Sequence, residues 1–360
     1  MKLTHEKTIL AFSFFPCFFR FFPFFTRHNY QPPKPEVLRI IKMMFKIGIV
    51  GAGRLSRVHM RHLSHIPDTE FVIFDKDHTR AEVLSTEYPA TVVKKFADLL
   101  DLVDAVDIIT PNNFHAEYAT QAIEADKHVF IEKPLDVSTA AAKPVVEAAS
   151  KSSKTIQVGH VLRYFSMYRK AHDLVQSGAV GTPAAIRMTR GGGMPGGADG
   201  WFADHSLSGG IFIDLAIHDF DWLLWTVGKV KEVYAKSVGA NTGKGPDYGL
   251  ATFTFENGCV AHVESTWMDP QESRTAFEIC GPEGMLDYDS RNTPTLRTGP
   301  KLEQNHLPED DPFFLQLNDF VTCAKANQPA KITIQEAFAA LELAEACRAS
   351  AATGKPVSLS

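Results

Sequence analysis

Cysteine is scarce. The 360-residue chain has five, Cys17, Cys259, Cys280, Cys323 and Cys347, an odd number set far apart with no CxxC pair. That excludes a disulfide scaffold and a local zinc-finger ligand set, and it suits reduced core thiols in a cytoplasmic protein. A surplus of positive charge is also lacking: 37 Lys and Arg face 42 Asp and Glu, a formal net charge of −5. Nothing there would neutralise a phosphate backbone, so nucleic acid is not an expected partner. Repeats and heptads are absent. No uninterrupted apolar run reaches the roughly 20 residues of a membrane span. The nearest is FSFFPCFFRFFPFF, where nine of the 26 phenylalanines fall between Phe12 and Phe25, but Arg20, Pro16 and Pro23 break it. No small-x-small cleavage site follows that run, so a signal peptide is poorly supported as well. Residues 1–43 are read as an atypical Phe/Pro-rich leader outside the fold, with translation expected to start at Met43 or Met44. No membrane partner and no metal is expected: His115, His160, His205 and His218 are scattered along the chain.

What is present begins at Phe45. The apolar run FKIGIV leads into Gly51-Ala52-Gly53-Arg54-Leu55-Ser56 and then a helical pattern at Val58, Leu63 and Ile66. A strand, a tight turn and a helix are predicted. Gly51 permits the turn, Gly53 lets the backbone approach a pyrophosphate, and the helix N-terminus, with the N–H groups of Arg54 and Leu55, offers a positive dipole end. Ser56 replaces the third glycine with another small residue. The next strand ends at Asp75, 24 residues after Gly51 and close to the spacing of a ribose-binding acid. A carboxylate there accepts from both ribose hydroxyls and repels a 2′-phosphate, which favours NAD over NADP, although Lys76 is adjacent. A third strand, Ala105 to Ile109, ends in Thr110-Pro111-Asn112-Asn113-Phe114-His115, and a fourth, His128 to Ile131, runs into Glu132-Lys133-Pro134. Ligands of open parallel sheets sit at such strand ends, so Thr110, Pro111, Asn112, His115, Glu132 and Lys133 join the expected cofactor contacts.

These segments, with VGHVLRYF and Gly209-Gly-Ile-Phe-Ile-Asp214-Leu-Ala-Ile-His218-Asp219, resemble the Gfo/Idh/MocA oxidoreductases from about Phe45 to the C-terminus. The resemblance implies an α/β protein: an N-terminal Rossmann NAD(P)-binding domain (44–164), then a substrate-binding and oligomerisation α/β (α+β) domain (165–360) with a large open, mainly antiparallel sheet. It also implies a homo-oligomer, dimer or tetramer, that is an inositol 2-dehydrogenase-like enzyme of sugar metabolism. Asp214 and His218 are four apart, which on a helix puts them on one face, so the carboxylate would support the imidazole as a proton acceptor. Carried onto this chain, the family's catalytic positions fall on Lys133, Asp214 and His218. His218 would take the hydroxyl proton, Lys133 would stabilise the developing negative charge on the oxygen, and Asp214 would orient His218. Family members differ over whether lysine or histidine takes the proton.

From Ile156 a short strand and a junction, Gly159 to Tyr164, lead to a helix near Met167 to Ser177 and a strand, Ala184 to Thr189. The glycine-rich run from Arg190 to Trp201 is expected to be a mobile loop rather than a packed element. Substrate contacts are expected from Lys133, Arg163, Tyr164, Trp201, Asp214 and His218, with Trp201 a platform for the apolar face of a sugar ring. Asp219 and Asp221 are read either as helix surface or as substrate contacts. Five further strands between Val230 and Tyr288 and a last helix, Ile334 to Ala351, complete the reading. The function expected is hydride transfer between a secondary alcohol of a cyclic polyol or sugar and NAD. The alternatives are an NAD-dependent glycoside hydrolase of the same family and a non-catalytic sensor of NAD or sugar.

Overall fold

Short β-branched runs separated by amphipathic helices form the first half of the chain. In the computed structural model β1 (Phe45–Val50), β2 (Thr69–Phe74), β3 (Thr91–Val92), β4 (Ala105–Ile108), β5 (His128–Ile131) and β6 (Ile156–Val158) make one sheet in the order β3-β2-β1-β4-β5-β6. Every pair in it is parallel. Helices α1 (Arg54–Leu63), α2 (His78–Glu87), α3 (Phe96–Leu100), α4 (His115–Glu124) and α5 (Thr139–Lys151) connect the strands. Parallel strands covered on both faces are apolar throughout, and Ile47, Ile49, Val106, Ile108, Val129 and Ile131 are fully buried. Each such side chain contributes about 1.5–3 kcal/mol relative to an exposed one. The strand order reverses between β1 and β4, which opens a crevice at their carboxyl ends. The structure describes residues 44–359 except 240–244, 246, 270–272, 293–294, 299–302 and 307–310; the leader through Met43, Cys17 included, lies outside the described residues.

After α6 (Ser166–Gln176) come β7 (Ala185–Gly191), α7 (His205–Ser208), a π-helical turn (Phe212–Ala216) and α8 (Ile217–Thr226). Strands β8 (Val230–Val238), β9 (Tyr248–Phe255), β10 (Val260–Thr266), β11 (Arg274–Gly281), β12 (Gly284–Asp289), β13 (Thr295–Thr298) and β14 (Glu303–His306) follow. With β15 (Val357–Ser358) they form a nine-stranded sheet, β14-β13-β12-β11-β7-β10-β9-β8-β15, antiparallel except where β7 meets β10. The α/β architecture with a second, mainly antiparallel sheet is therefore as expected. Alternation on β9 and β10 buries one face under α8 and α10 (Ile334–Thr353) and leaves the other open. Gly258, at φ 87°, makes the hairpin turn between them.

Two segments differ from the sequence reading. The glycine-rich run is partly built into the sheet: Arg190 and Gly191 are the last residues of β7, paired on both sides, and Gly193 bridges Met268. Strands on either side supply the order that glycine lacks by itself. The second is α9 (Pro312–Lys325), which the sequence reading passed over although Asp311 caps it and Pro312 occupies its first turn. Its Leu317, Phe320, Val321 and Ala324 pack with Ile47, Ile49 and Phe130 of the first sheet. The chain thus returns across the expected boundary at 164/165 to cover the first domain.

Candidate functional site

The turn after β1 is built as the glycine spacing requires. Gly51 has φ 99°, and a Cβ there would lie 2.5 Å from the carbonyl oxygen of Ile109. The Ser56 hydroxyl donates to the Gly51 carbonyl (2.7 Å) and accepts from the Gly53 N–H (3.2 Å), so the residue in place of the third glycine ties the turn. A Cβ on Gly53 would meet nothing within 4 Å. That open space lies at the N-terminus of α1, where the first N–H groups have no intrahelical acceptor. Asp75 follows β2 directly and accepts from the N–H of Ala52 (2.7 Å) and of Asp77 (2.7 Å). Lys76 turns away onto the Phe114 ring, its ammonium 3.7 Å from the centroid. After β4 the Thr110 hydroxyl and the Asn113 side-chain Oδ1 are buried without a partner. An open cradle, a free helix N-terminus, an acid beyond β2 and two orphaned polar atoms fit a dinucleotide with its pyrophosphate at Gly53.

The two glycines separate folding from binding. Gly51→Ala forces a positive φ on a Cβ-bearing residue against backbone, and a loss of at least about 1–3 kcal/mol is expected. Gly53→Val is expected to keep the thermal midpoint of the parent and to weaken NADH binding at least tenfold (about 1.4 kcal/mol) by filling the cradle. Thermal melts and NADH fluorescence titration check both, and undiminished binding by Gly53→Val would place the pyrophosphate elsewhere.

Lys133, the residue after Glu132 at the end of β5, reaches the π-helical turn. Its ammonium donates to the Asp214 carbonyl (2.7 Å) and to Asp214 Oδ1 (3.2 Å). Asn112 donates to the same Oδ1 (2.9 Å) and to the Ser208 carbonyl (2.8 Å). The expected Asp214–His218 support is not what is found. The wider π turn over Phe212–Ala216 displaces the i, i+4 neighbour, so Asp214 serves Lys133 and Asn112. The Nδ1 of His218 is buried without a hydrogen-bond partner. Burial, and after it the nearby Lys133, Arg190 and His160, hold the His218 imidazole well below its usual titration range. A neutral ring in the first turn of α8, within electrostatic reach of an ammonium that follows β5, is an arrangement able to exchange one proton with a hydroxyl.

The other expected residues divide. His115 bridges the Pro134 carbonyl (2.6 Å) and the Thr110 carbonyl (2.9 Å), fastening the loops after β4 and β5 together. Pro111 leads into the 3-10 turn that carries Asn112. Arg163 and Tyr164, expected at the substrate, are engaged by other side chains. Arg163 donates twice to Asp221 (2.9 and 2.7 Å) and once to Glu336 (2.7 Å), and Tyr164 donates to Asp319 (2.8 Å). Asp219 and Asp221, read as surface or substrate residues, are both 1% exposed. Asp219 takes two bonds from Arg190 (2.7 Å each), a residue the sequence had assigned to the loop. The arginine that neutralises each helix carboxylate comes from another element, so spacing along the chain gave no signal of it. Trp201 stacks on Phe202 with centroids 3.8 Å apart, and Asp199 beside it accepts from Arg80 of α2 (2.8 Å). Cys259 and Cys347 are buried and unpaired, and Cys280 and Cys323 are half-buried and unpaired. Among the described residues no helix is long and apolar enough to cross a membrane.

Comparison with known proteins agrees with this geometry. Residues 45–160 match the family model described as an oxidoreductase family with an NAD-binding Rossmann fold, and residues 168–287 match the GFO/IDH/MocA C-terminal domain. The chain is 29% identical over 336 residues to an uncharacterized oxidoreductase, YrbE, of Bacillus subtilis, covering 87% of this chain and 96% of that protein. It is 26% identical over 334 residues to the myo-inositol 2-dehydrogenase of Thermotoga maritima, covering 87% and 98%. The crystal structure of myo-inositol 2-dehydrogenase from Lactobacillus plantarum superposes with a TM-score of 0.77 at 25% identity, over 88% of this chain and all of that one. With a glycine turn, an acid after β2 and a strand-end lysine, and with both halves matching in order, this chain belongs to the GFO/IDH/MocA family and is an NAD-binding oxidoreductase.

Proposed function

We propose that the protein oxidises a secondary alcohol of a cyclic polyol or sugar, inositol-like in shape, with Lys133 and His218 handling the hydroxyl proton. The observation that carries this reading is the Lys133 ammonium, fixed by Asp214, whose charge together with burial holds His218 neutral while the His218 Nδ1 has no hydrogen-bond partner. Bound NAD supplies the hydride acceptor. Lys133 donates a hydrogen bond to the carbinol oxygen and lowers the free energy of the negative charge that grows there. The unprotonated ring of His218 takes the hydroxyl proton. Asp214 positions Lys133, and Asn112 positions Asp214. The stacked Trp201 and Phe202 suit the apolar face of a ring substrate. The name of the Thermotoga maritima relative supports an inositol-like substrate.

Cofactor binding is assigned to residues 44–164 with α9, and substrate binding to the remainder of 165–360. Self-association is assigned to the open face of the second sheet, where Tyr234, Val238 and Leu250 are exposed. Reduced, unpaired cysteines suit a cytoplasmic enzyme.

The test incubates the protein with NAD, and separately NADP, against inositols, aldoses, sugar acids and glycosides, following reduced cofactor and released sugar together. NADH formation from a polyol or sugar, greater than NADPH formation, is expected. Sugar release without net NADH would replace this reading with the hydrolase, and cofactor binding with neither product would replace it with a sensor.

A further inference from the structure

Three ionisable side chains lie buried behind Lys133, each from a different element of the crevice. His59 of α1 is fully buried, with Nδ1 2.9 Å from Asp107 Oδ2 on β4 and Nε2 3.4 Å from Glu132 Oε1 at the end of β5. Asp107 and Glu132 are 1% and 5% exposed. The second oxygen of Glu132 accepts the main-chain N–H of Lys133 (3.2 Å). Gly159 makes room for this carboxylate, since a Cβ there would lie 2.7 Å from Glu132 Oε1. Phe130 and Phe313 flank the imidazole, at centroid distances of 5.7 and 6.3 Å.

Hydrophobic packing would hold these strands and this helix together at lower cost, because each buried ion carries a desolvation penalty of several kcal/mol. What packing does not supply is direction. The imidazole is hydrogen-bonded to Asp107 on one side and faces Glu132 as an ion pair on the other, and the three members are joined to three parts of the site. The helix bearing His59 begins at the glycine turn, Asp107 lies three residues before Thr110, and Glu132 precedes Lys133. Glu132 was expected at the cofactor; its carboxylate instead faces inward onto His59 and the Lys133 backbone.

We propose that Asp107, His59 and Glu132 are positioning residues that set the reach of Lys133 toward Asp214 against the helix that holds the dinucleotide. This deepens the proposed role of Lys133 and rests on it. The triad acts through the Lys133 main chain and does not touch substrate.

The test is trace acetylation of the full-length protein without cofactor, reading Lys133 against the exposed Lys46 by mass spectrometry. Glu132→Gln removes the charge at constant shape. Gly159→Ala displaces the Glu132 carboxylate without mutating any of the three residues, so the test does not depend on one variant folding. Both are expected to raise the Lys133:Lys46 ratio several-fold, toward that of Asp214→Asn, which releases the ammonium directly. In both, kcat per NADH-binding site should fall by about 10- to 100-fold with NADH affinity little changed, as for a misplaced reacting group. A ratio that stays at the parent value while Asp214→Asn raises it would overturn the proposal. So would a lower thermal midpoint with kcat per NADH-binding site unchanged. Labelling is read without turnover, so a Lys133→Met enzyme that stays active would remove the catalytic reading of Lys133 and leave the positional result to stand or fall separately.

Discussion

Lys133→Met is expected to lower kcat by about 10²–10⁴-fold, while NADH binds as in the parent. Methionine fills similar volume and removes the ammonium that donates to Asp214, so the crevice keeps its shape and loses that donor. His218 supplies a second signature of the same site. Burial is the first cause that holds its ring neutral, and the Lys133 ammonium is the second. In the parent, therefore, the acid limb of kcat/KM lies well below pH 6.5, the ordinary value for a histidine. Without the lysine charge the limb moves toward neutrality in the residual activity. A rate-versus-pH series on both proteins measures this. Parent-like turnover by the variant would remove Lys133 from the mechanism, and an unmoved limb would remove the coupling to His218.

The second large effect is on stability at alkaline pH. Burial alone would keep His59 neutral, but the charges of Asp107 and Glu132 outweigh it and push the imidazole up to about 10 from 6.5. The folded state binds a proton that the unfolded state has lost between those values. The stabilisation is thus complete below about pH 6.5 and disappears as pH rises toward 10. At about 1.4 kcal/mol per pH unit the total is on the order of a few kcal/mol, a large share of the 5–15 kcal/mol of a typical domain. The thermal midpoint of the parent should fall steeply from neutral pH to pH 10. In the triple variant His59→Gln, Asp107→Asn, Glu132→Gln the fall should be much shallower, since no charge remains there to titrate. Equal slopes would mean that His59 is neutral in the folded protein.

The dinucleotide half was legible from residues because its chemistry is local. Gly51 is needed for a backbone angle in one turn, Asp75 sits one residue beyond a strand, and Lys133 immediately follows another strand, so position along the chain equals position in the crevice. The same reasoning fails where partners come from distant segments. Asp214 and His218 are four apart, but the helix widens into a π turn between Phe212 and Ala216, and the carboxylate goes to Lys133, 81 residues earlier. Arg190 reads as the start of a glycine loop, and the strands on either side of β7 make it the half-buried counter-ion of the buried Asp219.

His59 and Asp107 were visible only as a histidine on the inward face of α1 and an aspartate inside a β-branched strand. Both are anomalies of burial whose meaning depends on Glu132, 73 residues beyond His59. By itself the sequence determined the order of most strands and helices, the glycine turn and the lysine at the crevice edge, because backbone angles and hydrophobic period are properties of short segments. The tertiary structure alone decided which charges are paired. In a low-dielectric interior an ion is stable only next to its counter-charge, and the fold, not the spacing, brings the two together.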